Sequence, residues 1–167
     1  MFEIGDKVVY PMHGAGIIEG IEAKEILGET QQYYVLTFPI GGMKVMIPTK
    51  NVENIGIRQV ISGTDFNKVM QVLSNEGPAL PDNWNKRYRM NLEKLKTGDI
   101  YEVVNVVRDL MLRDHAKGLS TAERKMLNNA RQILVSELVL SSSTEEEEIA
   151  AMVDRVTLSE SENQDDA

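Results

Sequence analysis

The hydrophobic period of this chain changes once, near residue 58. Before that point, short runs rich in β-branched and aromatic residues alternate with glycine turns. After it, apolar residues recur every three to four positions, as on one face of a helix. Four or five short strands joined by tight glycine turns are typical of a small, strongly bent barrel. We therefore predict an α+β protein, with a small N-terminal Tudor/SH3-like β-barrel followed by a C-terminal bundle of about five helices.

Turn signals separate the predicted strands. A β-rich run at 7–10 is closed by a proline, and a longer run at 17–27 is followed by Gly28 and Glu29, which we predict to form a hairpin turn. Its partner strand would cover 32–38, and a further strand 43–47. In this last segment apolar and polar positions alternate, which predicts that Lys44 and Met46 face away from the barrel core.

Capping residues mark the predicted helices. Thr64 or Asp65 can begin the first, and Asp82 or Asn83 can cap a helix from Trp84 to about Lys96. Later helices would follow Asp99, the Ser120–Glu123 capping box and Thr144. Beyond Leu158 the chain is polar and acidic. The predicted organisation is a barrel at 1–57, a helical domain at 58–158 and a disordered acidic tail at 159–167.

The charge is unevenly spread along the chain. The formal net charge of −8 argues against a free-standing DNA-binding protein. Counted along the sequence, residues 1–80 carry −3, residues 81–140 carry +3 and residues 141–167 carry −8. The segment 84–96 alone has five cations and one acid. The acidity therefore lies mainly in the tail, and the middle of the chain is basic.

Composition argues against several classes of protein. The chain has no Cys, so disulfides and thiolate metal sites are absent, which fits a reducing cytoplasm. No apolar run approaches the ~20 residues of a membrane span, and the N-terminus lacks the apolar region of a signal peptide. His13 and His115 lie far apart, and no phosphate loop, nucleophile elbow or zinc-protease motif occurs. We expect a cytoplasmic protein that is neither an enzyme nor dependent on a cofactor or metal.

The only Trp of the chain stands directly before a group of cations. Trp84 begins a predicted helix and is followed by Lys86, Arg87 and Arg89. A flat apolar side chain beside cations suits nucleic acid, because the cations meet phosphates while the ring wedges or stacks against bases. A second pair, Arg124 and Lys125, lies in the first turn of a later helix, where cations oppose the helix dipole. Cations are disfavoured in the first turn of a helix, so the presence of both residues there indicates a functional role.

The same residues also fit a purely structural role. Trp84, Tyr88, Leu92 and Leu95 recur at helical spacing, so the ring could begin a core stripe, and the cations could be a solvated surface. In that case the protein would be a protein–protein adaptor with no direct DNA contact. An RNA-binding barrel is a third possibility, but Tyr33 and Tyr34 are adjacent and would point to opposite faces of a strand.

Four blocks of sequence stand in order along both halves of the chain: the run from Gly5 to Gly14, the stretch 83–95 around Trp84, and two later blocks at 118–120 and 130–134. Together these blocks resemble the CarD/CdnL family of bacterial transcription regulators. The resemblance covers Phe2 to about Leu140. It implies a Tudor-like N-terminal domain that binds the β subunit of RNA polymerase, as does a related module of the transcription-repair coupling factor. It also implies a helical domain that touches promoter DNA at the upstream edge of the transcription bubble.

The resemblance assigns expected roles to individual residues. Trp84 matches the family's wedge, which enters the minor groove at the upstream fork and stabilises the open complex. Arg89 and Arg124 match basic positions that contact the DNA backbone, with Lys86, Arg87 and Lys125 beside them. Lys24 and Met46 fall where family members often carry Arg residues facing polymerase, with Lys44 on the same strand as Met46. We expect a monomer, held at the nucleoid through polymerase, whose contact with DNA is weak and largely independent of base sequence.

Overall fold

The computed structural model describes the backbone of residues 1–165 and the side chains of residues 1–159. An antiparallel five-stranded sheet forms the N-terminal part, with the strand order β4-β3-β2-β1-β5. Six α-helices lie among the described residues, of which the first is a single turn that follows a short 3₁₀ helix at Thr49–Asn51. The elements are β1 (Lys7–Tyr10), β2 (Gly14–Ile26), β3 (Glu29–Thr37), β4 (Lys44–Pro48), α1 (Val52–Ile55), β5 (Arg58–Gln59), α2 (Gly63–Ser74), α3 (Trp84–Lys96), α4 (Ile100–Ala116), α5 (Thr121–Ser142) and α6 (Glu146–Asp165).

The predicted fold class is confirmed, with small shifts at the boundaries. The barrel sheet includes β5, which pairs with β1 beyond the predicted boundary at residue 57, because β1 needs a partner on its second edge. The hairpin turn is made by Leu27 and Gly28 rather than Gly28 and Glu29, since both have positive φ angles. Helix α6 continues past Leu158 to Asp165, where no proline or glycine interrupts it. Residues 166 and 167 of the predicted tail lie outside the described part of the chain.

Two apolar clusters stabilise the two halves. The barrel core contains Val8, Ile18, Leu36 and Ile47, which come from four different strand segments. The larger helical core is formed mainly by α4 and α5, with α2, α3 and α6 packed around them. Burial of this apolar surface is the main stabilising contribution to each domain.

The barrel and the helical domain are joined along α5. Ser136 on α5 accepts a hydrogen bond from the backbone N–H of Ala15 at 2.9 Å. Gly14 has a φ of 109°, and a Cβ there would approach the Ser136 hydroxyl at 2.8 Å, so this close contact requires glycine. Val9 and Ala15 pack against Leu140. Strands β1 and β2 therefore lie directly on one helix of the other domain.

A bidentate ion pair completes this junction. The guanidinium of Arg58, in β5, donates two hydrogen bonds of 2.7 Å to the buried carboxylate of Glu137 on α5. The same carboxylate accepts the backbone N–H of Ile61 at 2.9 Å, and Arg58 also donates to the carbonyl of Gly98 at 2.9 Å. The Arg58–Glu137 pair thus connects the barrel, the linker after it and the turn that follows α3.

Replacing Glu137 by Gln should lower the free energy of unfolding by about 2 to 4 kcal/mol, because the fully buried carboxylate that accepts three hydrogen bonds and balances Arg58 would become a neutral amide. The measurement is urea unfolding followed by circular dichroism. The matched control is Asp154→Asn, which alters the bidentate Arg131–Asp154 pair. The two arginines are alike in exposure, at 30% and 32%, but the carboxylate of Asp154 is 47% exposed and that of Glu137 only 1%. That change should cost less than about 1 kcal/mol. Equal, small losses in both variants would contradict a special role for the Arg58–Glu137 pair.

Candidate nucleic-acid interface

The residues around Trp84 are positioned by the first turn of α3. Asn83 caps this helix, and its side-chain oxygen accepts the backbone N–H of Lys86 at 3.1 Å. Trp84 is the first residue of the helix, and 49% of it is exposed to solvent. In the preceding loop, Gly77 packs closely against the buried Arg108, where a Cβ would collide with the guanidinium, and the carbonyls of Pro81 and Asp82 accept hydrogen bonds from Arg87. The ring is therefore presented on an ordered surface.

The interpretation of Trp84 as a core residue does not agree with this exposure. Of the four residues of the predicted stripe, only the last three pack inward: Tyr88 and Leu92 are half-buried and Leu95 is buried. The fully buried line of α3 is instead Arg87, Asn91 and Leu95. The helix is thus rotated relative to the predicted stripe, and its inward face contains two polar residues.

Arg87 is not part of any accessible basic surface, which corrects its predicted role in contacting DNA. Only 2% of Arg87 is exposed. Its guanidinium donates to both carboxylate oxygens of Glu123 at 2.7 and 2.8 Å, and to the backbone carbonyls of Pro81 and Asp82 at 2.9 and 3.2 Å. These acceptors satisfy the cation inside the fold. Arg87 therefore fixes the loop before Trp84 to the start of α5.

Glu123 makes hydrogen bonds that stabilise the starts of two helices, α3 and α5. Its backbone N–H donates to Ser120, as the capping box predicts, while its carboxylate accepts from Ser120 and Arg87. The hydrogen bonds from Arg87 hold the pKa of Glu123 below its ordinary value, and those bonds likewise raise the pKa of Arg87. The pair brings the N-terminus of α3 next to that of α5, which carries Arg124 and Lys125.

The other predicted cations are accessible. Lys86 and Arg89 are exposed on α3, and Lys125 is exposed on α5. Within the described residues, neither Lys86 nor Lys125 has an ion-pair partner. Arg124 is half-exposed and pairs with Asp114 at 2.9 Å. Because an exposed pair of this kind contributes at most about 1 kcal/mol, a phosphate could displace Asp114 at little cost.

An apolar groove lies between the two basic segments. It encloses about 500 Å³ and is lined by side chains of α3 and α5 together with Met12 from the β1–β2 turn. Tyr88, Leu92 and Met126 are among its apolar lining residues, and Lys125 contributes the cationic side chain of the lining. Trp84, Lys86, Arg89 and Arg124 are exposed on the same two helices. We call the residues of this region the tryptophan surface: Trp84, Lys86, Tyr88, Arg89, Leu92, Arg124, Lys125 and Met126.

The residues predicted to face polymerase share one face of the barrel sheet. Lys24 pairs with Gln31, Met46 with Val35 and Lys44 with Thr37. Since side chains alternate along a strand and cross-strand partners share a face, this register places Lys24, Lys44 and Met46 together, opposite the core residues Val45 and Ile47. We call this the outer face; it comprises Glu22, Lys24, Ile26, Glu29, Gln31, Tyr33, Val35, Thr37, Lys44, Met46 and Pro48. Lys44 also forms an exposed ion pair with Glu19 at 3.2 Å. Strand β4 is also an edge of the sheet.

The alternative of an RNA-binding barrel finds no support in the sheet. Tyr34 is buried in the barrel core, where its hydroxyl accepts the backbone N–H of Phe2 at 3.1 Å, whereas Tyr33 lies half-buried on the outer face. The two rings therefore cannot form a common stacking platform. Among the described residues, no group of three or more His, Asp or Glu is arranged to hold a metal ion. No helix in the described part is long and apolar enough to cross a membrane.

Comparisons with known proteins agree with this two-part architecture. Residues 2–61 match the family model for the CarD-like/TRCF RID domain, and residues 68–154 match that for the CarD C-terminal domain. YdeB of Bacillus subtilis (strain 168), which carries the description of a transcription factor, is 46% identical over 149 residues, covering 89% of this chain and 97% of YdeB.

A solved structure of part of a relative also matches. The solution structure of the 72-residue N-terminal domain of Myxococcus xanthus CarD has 32% sequence identity, with a TM-score of 0.32, and covers 35% of this chain and 79% of that one. Together, the barrel and the helical domain define the class of transcription regulators built from these two modules. On the strength of the two family models and the Bacillus relative, the chain belongs to the CarD family.

Acid should weaken the contribution of Glu123 to stability. A carboxyl whose pKa is lowered by folding stabilises the native state above its ordinary pKa, near 4.5, and loses that contribution as the pH falls through the lower folded value. The measurement is thermal unfolding at a series of pH values from 7 to 3. The difference in melting temperature between the native chain and Glu123→Gln should be constant above about pH 5.5 and shrink below it. Glu148→Gln, at an exposed position, is the control. A difference that stayed constant to pH 3 would contradict this assignment.

Proposed function

We propose that this protein docks on the β subunit of RNA polymerase through the outer face of its barrel and stabilises the promoter open complex with Trp84. The observation that carries the proposal is the half-exposed ring of Trp84 on an ordered helix start, with Lys86 and Arg89 beside it. The ring would enter the minor groove at the upstream edge of the bubble. An apolar wedge there stabilises a base step that is already unstacked and hinders its closure.

The cations of the tryptophan surface would bind the DNA backbone. Lys86, Arg89, Arg124 and Lys125 project from two neighbouring helix N-termini, so they can meet successive phosphates while the ring engages the groove. A few phosphate contacts without base readout correspond to dissociation constants of about 10⁻⁴ to 10⁻⁶ M at physiological salt. The net charge of −8 weakens such binding further.

Docking on polymerase would compensate for this low affinity. A domain tethered beside its target experiences an effective concentration of roughly millimolar, at which the same few contacts suffice. The outer face offers half-buried apolar side chains among exposed lysines and glutamates. The edge strand β4 has backbone groups available for pairing with a strand of another protein. The match of residues 2–61 to the CarD-like/TRCF RID domain supports polymerase as the partner.

The wedge is tested by Trp84→Ala in open-complex lifetime measurements with polymerase holoenzyme and a competitor that traps released enzyme. The native protein should lengthen the lifetime, and the variant should lose most of that effect while binding polymerase as before. Its stability should change little, because half of the ring is exposed. Trp84→Phe, which keeps a smaller apolar ring, should retain part of the effect. If Trp84→Ala lost polymerase binding as well, the ring would be structural.

Charge reversal on the outer face tests docking separately. Lys24→Glu should weaken binding to polymerase about tenfold or more, because it reverses the charge at a position where family members often carry an arginine facing polymerase. Biolayer interferometry with immobilised polymerase provides the measurement. Lys50→Glu, an exposed lysine that follows β4 and lies outside the outer face, is the matched control and should bind normally. Unchanged binding of Lys24→Glu would place the docking surface elsewhere on the barrel.

A further inference from the structure

The β2–β3 hairpin extends beyond the barrel as an exposed arm. Residues 21–30 are all exposed, and the arm ends in a two-residue turn at Leu27 and Gly28. Ile26 is 50% exposed, and Leu27 is 99% exposed. A fully exposed leucine beside a half-exposed isoleucine, at the end of a projecting hairpin, forms a small apolar tip that contributes nothing to either core.

Leu27 also has an unfavourable backbone conformation. Its φ is 53° and that of Gly28 is 81°, the positive values of a type I′ turn. Such turns favour Asn-Gly or Asp-Gly, because Asn and Asp tolerate the left-handed region better than a leucine does. The chain thus carries an apolar residue where both solvent exposure and backbone geometry favour a small polar one. A residue that opposes two local preferences indicates a role outside folding.

The tip is continuous with the outer face. Ile26 lies two residues after Lys24 on β2, so alternation places both on the same side of the hairpin. The same side continues through Tyr33 and Val35 of β3 to Met46 of β4. The apolar tip therefore prolongs a face that is already partly apolar, and one flat partner surface could cover both.

We propose that Leu27, supported by Ile26, is an apolar anchor of the polymerase contact and inserts into an apolar depression on the β subunit. This inference rests on the proposed docking function and names a residue of that contact. Insertion of the tip removes a fully exposed leucine from water, which compensates for the strain of the turn. Residues 21–30 carry three glutamates and one lysine, and the two residues at the tip, Ile26 and Leu27, are both apolar and exposed, so the contact assigned to the tip is apolar.

The experiment is Leu27→Asn in the full-length chain, with stability and polymerase affinity measured in parallel. Asn-Gly is the preferred sequence for this turn, so the melting temperature should rise or stay constant. Affinity for immobilised polymerase should fall about tenfold, the effect of losing a largely buried leucine contact. Leu27→Gly should behave in the same way, whereas Leu27→Met, which stays apolar, should bind within about threefold of the native chain.

The outcomes separate this inference from the proposed function. Lower affinity with unchanged or higher stability supports the anchor, since a purely structural role for Leu27 predicts the opposite pattern. If Leu27→Asn bound polymerase with normal affinity while Lys24→Glu bound more weakly, Leu27 would not be an anchor. Docking through the outer face would still be supported. No affinity for polymerase in the native chain would overturn both. Loss of affinity in Leu27→Met equal to that in Leu27→Asn would also contradict an apolar contact.

Discussion

The buried carboxylates of helix α5 are the constraint on which the rest of this structure depends. Glu123, in its first turn, binds Arg87 and so fixes the N-terminus of α3. Glu137, fourteen residues later, binds Arg58 and so fixes the barrel. Fourteen residues are about four helical turns, roughly 21 Å along the axis. A single helix thereby sets the separation between Trp84 and the barrel.

Such a rigid connection suits the proposed mechanism. A wedge that binds DNA weakly by itself gains from a tether only if the tether holds it where the DNA fork lies. The two arginine–glutamate pairs are directional, because each guanidinium donates two parallel hydrogen bonds to one carboxylate. Buried ion pairs add little net stability compared with apolar packing, but they specify one arrangement, since breaking one leaves a charge buried without a partner.

The tryptophan surface was predictable in outline but not in full. Trp84 and its neighbouring cations are adjacent in sequence, and the capping residues that begin α3 and α5 are local signals. Arg87 was assigned to the wrong side of α3, because an arginine among other cations resembles a solvated residue. Its partner Glu123 lies 36 residues away. The capping box at Ser120 identified Glu123 as a helix-start residue, but nothing local indicated that its carboxylate also accepts from a second helix.

The sequence alone determined the order of the two domains, the class of fold and the location of the basic segment around Trp84. These follow from hydrophobic period, turn residues and local charge, all of which act over a few neighbouring positions. Only the tertiary structure decided which cations are accessible, how α3 is rotated, and that Lys24, Met46 and the tip at Leu27 share one face. Those properties depend on strand register and on buried pairs between distant residues, where the desolvation of a charge by packing outweighs its local preference for solvent.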